Sequence, residues 1–551
     1  MIKNKFTLLT SAIFIATFLF CVTPVKAIDS IDNNASTETN TDINSIDKPY
    51  TKEVTQETNN ANNILAKKIG SKTSSNTNKK LTVMVYSDAD NNLEESLLED
   101  IQQMKDGYVD NPNLNLIVLV DRTPDYSEDS NVLGEDFSDT RMYKIEKNKA
   151  IRINGGDQFP EITKTNTYEA NMGDGNTLKK FIDSCKKNYP ADKYSLIISN
   201  HGGGARDSKL LQKPKDPKAV CWDDTNDGDC LYTAEITDTL TNNESVDVLA
   251  YDACLMGTAE VAYQYRSGNG SFQANVMVAS APVVWGNGYD YKKIFSRLKS
   301  GGGNNGLTDT TLGGKEQFFD PSAVTDLQLG AIMVEAQRDS AKAANANDQV
   351  LSCYDLTKIE NVKNSVDKLA ISLWNENKKA DMESLRGTGK TVSLIHYFIE
   401  TDKYEWLAYP YFDLYDLCKK ISTSTVFSTN VKSLAVDVMK NVDAMIVYSY
   451  GGTKFKGFTE GKSGLSIFLP DGNKMYRDVS ANISYSEWTG QRWYNSIDTT
   501  TLQSDYLYGK LSWCKDGQSP EANNVGNWFE LLDSWFDSSN DQTGGDNGYQ
   551  W

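Results

Sequence analysis

The sequence predicts an α/β protein with a mostly parallel sheet, on two observations. Short, continuous apolar runs recur along the chain, and stretches of helical periodicity lie between them. Runs that are apolar at every position suit strands buried on both faces, and strands alternating with helices argue for βαβ units. In such sheets the reactive groups sit just beyond the carboxyl ends of the strands.

The elements follow in order. Residues Leu81 to Tyr86 read as the first strand, and Leu93, Leu97, Ile101 and Met104 then share one face of a helix. Leu114 to Val120 is a second apolar run, ending in Asp121. The helix from Thr177 to Lys187 carries Leu178, Phe181, Ile182 and Cys185 on its apolar face, which makes Cys185 a core residue. Three more runs follow: Tyr194 to Ser199, Val246 to Tyr251, and Asn275 to Ala279. Beyond about residue 310 the character changes. Pro321 to Asn345 is helical, as is the stretch with Val362, Val366, Leu369 and Leu373. Met445 to Tyr450, Gly464 to Pro470 and the aromatics Tyr485, Trp488 and Trp493 read as β-rich. The expectation is a first domain over 81–310, a second, mixed α/β domain over 311–537, and a polar tail over 538–551.

A chain of 551 residues is too long for one compact core. Its 56 lysines and arginines stand against 75 acids, a net charge of −19, so it lacks the electrostatic footprint of a nucleic-acid binder. Two histidines in all exclude a His-rich metal site. Residues 1–27 read as a secretory signal: Lys3 and Lys5, an apolar run from Phe6 to Val22, then Val25-Lys26-Ala27 at the cleavage point. Its removal takes away three lysines and no acid, leaving −22. No later stretch is long and apolar enough to span a membrane. The chain is therefore expected to be secreted and extracellular. Residues 28–80 are rich in Asn, Thr, Ser, Asp and Lys, with Tyr50 their one aromatic. Such a segment buries too little apolar area to offset its ordering entropy, so it reads as a disordered pro-segment or spacer. Seven cysteines remain after the signal is lost, an odd number that leaves at least one free thiol; Cys221 and Cys230 either pair or are simply buried.

Two strand ends carry the chemistry. Asn200-His201-Gly202-Gly203-Gly204 follows one strand and Asp252-Ala253-Cys254 follows the next. A thiol needs a base beside it to become a nucleophile, and histidine serves near neutral pH. Caspases place histidine about 50 residues before a cysteine set in Gln-Ala-Cys, and here the separation is 53, before Asp-Ala-Cys. The glycines let a substrate carbonyl approach the backbone, and the N–H groups of Gly202 and Cys254 are the candidate oxyanion hole.

Three segments together, His201-Gly202-Gly203-Gly204-Ala205-Arg206, Ala219-Val220-Cys221-Trp222-Asp223-Asp224 and Tyr251-Asp252-Ala253-Cys254-Leu255-Met256-Gly257, resemble the clostripain family. The resemblance is specific over roughly 81–300 and more diffuse to the end, as at Gly464 to Pro470. It implies a caspase-like three-layer α/β sandwich and a secreted cysteine endopeptidase that cuts protein and peptide substrates after arginine and, less well, lysine. His201 and Cys254 are then the catalytic dyad. Asp252 becomes the acid of the primary specificity pocket, consistent with bidentate pairing of a carboxylate with a guanidinium; the competing reading makes it the cap of the next helix. Asp290 is a candidate second pocket acid. The resemblance further implies self-processing into a light chain ending at Arg206 and a heavy chain beginning at Ala219, with linker 207–218 excised after Lys218. It also implies a calcium requirement, for which Asp223, Asp224, Asn226, Asp227 and Asp229, or Asp88, Asp90 and Asn91, offer hard oxygen ligands. Neither run is an EF-hand.

Other signals point elsewhere and fail. Ser384 to Thr391 is one glycine short of a phosphate-binding loop, and His396 lies among Leu394, Ile395, Tyr397 and Phe398 as a core histidine would. The reading from a different class is a secreted adhesive protein, its aromatic-rich C-terminal part binding host protein or glycan and its front domain inert.

Overall fold

The computed structural model describes residues 80–205, 220–284, 288–300, 318–387, 393–397, 410–470, 475–478, 483–486 and 508–536. The expected signal, nearly all of the spacer, the processing positions Arg206 and Lys218 and the polar tail lie outside the described residues.

The chain opens with β1 (Leu81–Ala89), α1 (Glu94–Gly107), β2 (Leu114–Arg122), β3 (Thr140–Glu146) and β4 (Lys149–Ile153). Next come α2 (Gly175–Asn188), β5 (Lys193–Ser199), the hairpin of β6 (Val220–Asp223) and β7 (Asp229–Leu231), and α3 (Thr233–Thr239). β8 (Val246–Asp252), α4 (Ala259–Gln264), β9 (Ala274–Ala279) and α5 (Tyr291–Ser296) follow. The remainder includes α6 (Asp326–Ala343), β10 (Val350–Asp355), α7 (Ile359–Asn375), β11 (Tyr411–Asp413), α8 (Leu414–Thr423) and α9 (Thr429–Met445). β12 (Ile446–Gly451), β13 (Ser466–Phe468) and α10 (Trp528–Phe536) complete the elements used below.

Nine strands form one sheet in the order β12-β10-β9-β8-β5-β1-β2-β3-β4. The five central strands, β9 to β2, run parallel, and antiparallel pairs close both margins. Alternate residues of a strand point to opposite faces, and here each face has its own core. Met84 and Tyr86 of β1, Leu196 and Ile198 of β5, and Leu249 and Tyr251 of β8 pack with α2, α4, α7, α8, α9 and α10. Val83 and Val85, Ile197, and Val248 and Ala250 pack with α1, α5 and α6 on the other side. Burial on both faces is why these runs are mostly apolar rather than alternating. The result is the expected three-layer α/β sandwich.

The boundary expected at 310/311 is corrected by this sheet. β10 and β12 lie beyond residue 310, yet β10 pairs with β9 and β12 with β10. The same region supplies α7 to α10 to one core and α6 to the other.

Cys185 is fully buried, as its helix face predicts. Cys221 and Cys230 are also buried, and no disulfide joins any of the seven described cysteines. Among the described residues no helix is long and apolar enough to cross a membrane.

Candidate active site

β5 and β8 are neighbours, and their register sets Ser199 opposite Asp252. One residue on, the N–H of Asn200 donates to the Asp252 carbonyl at 3.3 Å. The chain segments carrying His201 and Cys254 therefore leave the sheet side by side. Gly202 lies against the Cys254 backbone: a Cβ there would sit 2.3 Å from the Cys254 carbonyl oxygen and 2.8 Å from its nitrogen. Only glycine allows that approach. The turn after Cys254 is held from the far side, with Leu255 N–H donating to the Pro282 carbonyl at 3.0 Å and Gly257 N–H to that of Ser280 at 2.7 Å. Leu255 has φ +62°, a left-handed conformation that costs roughly 1–2 kcal/mol for a residue with a Cβ. The C-terminal region braces the histidine loop, since the Tyr411 hydroxyl donates to the Gly203 carbonyl at 3.3 Å.

His201 is half-buried, and its Nε2 lies 2.8 Å from Asn92 Oδ1. Burial lowers its pKa to about 4, so the imidazole is neutral at physiological pH. When Nε2–H donates to the Asn92 amide oxygen, Nδ1 is left with the lone pair of a base. Asn92 went unnoticed in the sequence; the clue was its place just past the end of β1, the third strand end in this row. The Cys254 sulfur lies 3.3 Å from the Val284 nitrogen and 3.5 Å from its carbonyl oxygen.

Asp252 does not cap a helix, for the next one, α4, has Thr258 as its N-cap. Its carboxylate is buried and Oδ2 accepts from Tyr289 N–H at 3.0 Å and from the Tyr291 hydroxyl at 2.9 Å, while Oδ1 has no hydrogen-bond partner. Burial raises its pKa to about 6 against those two stabilising bonds. The segment that touches the thiol at Val284 thus reaches the carboxylate at Tyr289 and Tyr291. Asp290 does not join it: its side chain caps α5 by accepting from Lys293 N–H and pairs with the Lys293 ammonium, both at 2.9 Å. The second acid expected at Asp290 is corrected accordingly.

Residues 85–535 match the model of the clostripain family. The chain belongs to the clostripain family. A clostripain from Hathewaya histolytica is 60% identical over 488 residues, which cover 88% of this chain and 92% of the relative. This family member is accordingly a cysteine endopeptidase. Two solved structures with the same kind of description are far more distant. A secreted C11 cysteine protease from Bacteroides thetaiotaomicron, bound to an irreversible peptide inhibitor, is 17% identical, covering 72% of this chain and 94% of that one with a TM-score of 0.46. An inactive zymogen C11 protease from Parabacteroides distasonis is also 17% identical, covering 80% and 99%, with a TM-score of 0.47.

A cluster of acids lies at neighbouring strand ends of this clostripain-family chain. Asp90, Asp121 and Asp223, at the ends of β1, β2 and β6, are buried and bring one carboxylate oxygen each to within 4.8 Å of one another. Asp90 Oδ1 and Asp121 Oδ2 have no hydrogen-bond partner, nor does Oδ2 of nearby Asp88. Burial, reinforced by neighbouring carboxylates, raises Asp121 and holds Asp223 at about 7. Orphaned, mutually repelling oxygens of this kind fit a hard cation. Of Asp223, Asp224, Asp227 and Asp229, only Asp223 enters the cluster. Asp224 and Asp227 are exposed, and Asp229 accepts from the Asn171 amide at 2.8 Å. Each of the two predicted runs contributes one acid, and Asp121 comes from a third segment. His396 is buried and stacks on Phe412, with ring centroids 4.6 Å apart, as a core histidine does.

Proposed function

We propose that this peptidase cleaves its substrates after arginine, and less well after lysine, through a Cys254/His201 dyad. What carries the reading is the close apposition of the two strand ends, with the buried, half-partnered carboxylate of Asp252 behind them. His201 takes the Cys254 thiol proton, and the sulfur adds to the scissile carbonyl. The carbonyl oxygen gains the displaced electron pair, and the N–H groups of Gly202 and Cys254 receive it. Collapse breaks the C–N bond as the imidazolium protonates the leaving amine. Water, deprotonated by His201, then displaces the thiolate from the thioester. Asp252 binds the basic side chain of the residue before the cut.

The same reading includes secretion behind residues 1–27 and self-processing after Arg206 and Lys218, giving a light chain and a heavy chain. Two observations support the latter. Val220 bridges to Gly202, so the described residues that flank the linker lie beside each other next to His201, and residues 207–218 carry four lysines. Asp90, Asp121 and Asp223 would hold calcium, which would neutralise their charge. Asn91 joins this cluster to the hairpin by donating to the Trp222 carbonyl at 2.7 Å. The site would therefore order both β6 and the turn that carries Asn92.

Cleavage of a short arginyl reporter, compared between the native chain and Cys254→Ala, tests the proposal. The native protein should cut it and divide between 206 and 219, whereas the alanine variant should do neither. A variant that still divides by itself would refute the dyad.

A further inference from the structure

Besides the groups already assigned, one buried acid is left over. Asp100 lies on α1, in the layer opposite α4, and is 3% exposed. Neither of its carboxylate oxygens has a hydrogen-bond partner. It faces Asp252 across Gly288. A Cβ built at Gly288 would be 2.6 Å from Asp252 Oδ2 and 3.1 Å from Asp100 Oδ2. Those two oxygens are thus at most 5.7 Å apart, the sum of the two distances. Gly288 itself has φ +53°, so position 288 excludes a side chain both by conformation and by space.

Two carboxylates this close, with three of four oxygens unpartnered, repel one another without water to screen them. Burial first, and then the charge of Asp252, pushes the Asp100 carboxyl well above the usual range. No lysine or arginine is hydrogen-bonded or ion-paired to either acid among the described residues. A structural pair would have one. A cationic side chain arriving with the substrate would neutralise the two acids.

We propose that Asp100 is a second specificity acid, which together with Asp252 receives the cationic side chain of the residue before the scissile bond. This rests on the assignment of Asp252 to that pocket. A guanidinium has five donors in a planar fork and can bond to carboxylates on two sides, whereas an ammonium is a compact point charge. Asp100 should therefore matter more for arginine than for lysine. One acid ends a strand of the sheet and the other lies on the helix packed against that face, so the pocket reads the side chain from two elements.

The test uses Asp100→Asn and Asp252→Asn, each opened between 206 and 218 with trypsin that is then removed. Three quantities are read: kcat/KM on matched arginyl and lysyl reporters, the rate at which iodoacetamide alkylates Cys254, and the melting temperature. Asp100→Asn should lower arginyl kcat/KM at least 10-fold and lysyl kcat/KM less, through KM. Alkylation should be unchanged and the melting temperature unchanged or higher, because one of two repelling charges has gone. Unaltered arginyl cleavage in Asp100→Asn, with Asp252→Asn impaired, would overturn the inference and leave the Asp252 pocket standing. Unaltered cleavage in Asp252→Asn would overturn the pocket itself. A lower melting temperature with parallel losses of alkylation and of both activities would make Asp100 a structural support and overturn the inference too.

Discussion

His201 Nε2 lies 2.8 Å from the side-chain oxygen of Asn92, so the ring of one strand-end residue is held by an amide at another. Two geometric facts follow for a base. The bond fixes the tautomer, and it fixes the plane in which the remaining nitrogen presents its lone pair. Replacing Asn92 with alanine should leave the exposed turn folded but let the ring rotate. We expect kcat to fall by roughly 10- to 100-fold with little change in KM, since a positioning bond acts on the transition state. Steady-state kinetics on an arginyl reporter check this. A change confined to KM would show that Asn92 serves binding instead.

If Asp252 is the acid of the pocket, the pH dependence should show it. Asp252 has its pKa raised to about 6 by burial, well above the value of about 4 that burial sets for His201. A protonated carboxyl offers no charge to a basic side chain. The acid limb of kcat/KM for arginyl substrates should therefore fall off near pH 6 and be absent in Asp252→Asn. In kcat the limb should move lower, because a bound cation favours the ionised form.

The same shift has a consequence for stability, with its sign set by linkage. Asp252 ionises at about 6 when folded and near 4 when unfolded, so between those values the folded state holds more protons. Stability then falls as pH rises through that window and stays lower above it. Asp252→Asn should therefore be more stable than the native protein at neutral pH, by on the order of 2–3 kcal/mol at most. Thermal melting at pH 4 and pH 7.5 checks this, since the advantage should shrink at the acid end.

The fold was legible because burial on both faces writes itself as mostly apolar runs, and the proposed dyad stood out because His201 and Cys254 follow such runs closely. Asn92 and Asp100 carry no such mark. Each is one polar residue in a polar turn or on a helix, and only folding, which sets Asn92 against His201 and Asp100 near Asp252, gives it meaning. The acid cluster was half legible for a related reason. Clusters adjacent in sequence are easy to see, but Asp90, Asp121 and Asp223 belong to three strands and converge only through the sheet order. The separate second domain failed on β10 and β12, which are antiparallel margin strands lacking the pattern of the centre.

That convergence makes calcium binding separable by residue. If Asp90, Asp121 and Asp223 hold the ion, calcium should raise the melting temperature of the native chain. It should also slow amide exchange in 88–92 and 220–231, where the ligands are joined by bonds such as Asp224 N–H to the Asp90 carbonyl at 2.9 Å. Asp121→Asn should abolish both effects. Asp224→Asn and Asp227→Asn, whose side chains are exposed and outside the cluster of three carboxylates, should leave them intact. The reverse pattern would return the ion to the acidic loop.

Gly202 supplies the sharpest steric test. An added methyl would lie 2.3 Å from the Cys254 carbonyl oxygen and 2.8 Å from its nitrogen, both backbone atoms of a turn already tied to Ser280 and Pro282. Neither can move by rotating a side chain, so the His201 loop must shift away. A displacement of about 1 Å at reacting groups is enough to lose about 100-fold in rate. Gly202→Ala should thus depress kcat by at least that factor. His201 and Cys254 would remain chemically intact, so iodoacetamide would still alkylate the thiol. Alkylation at the native rate together with native turnover would mean that the two strand ends do not need this contact, and that the oxyanion site lies elsewhere.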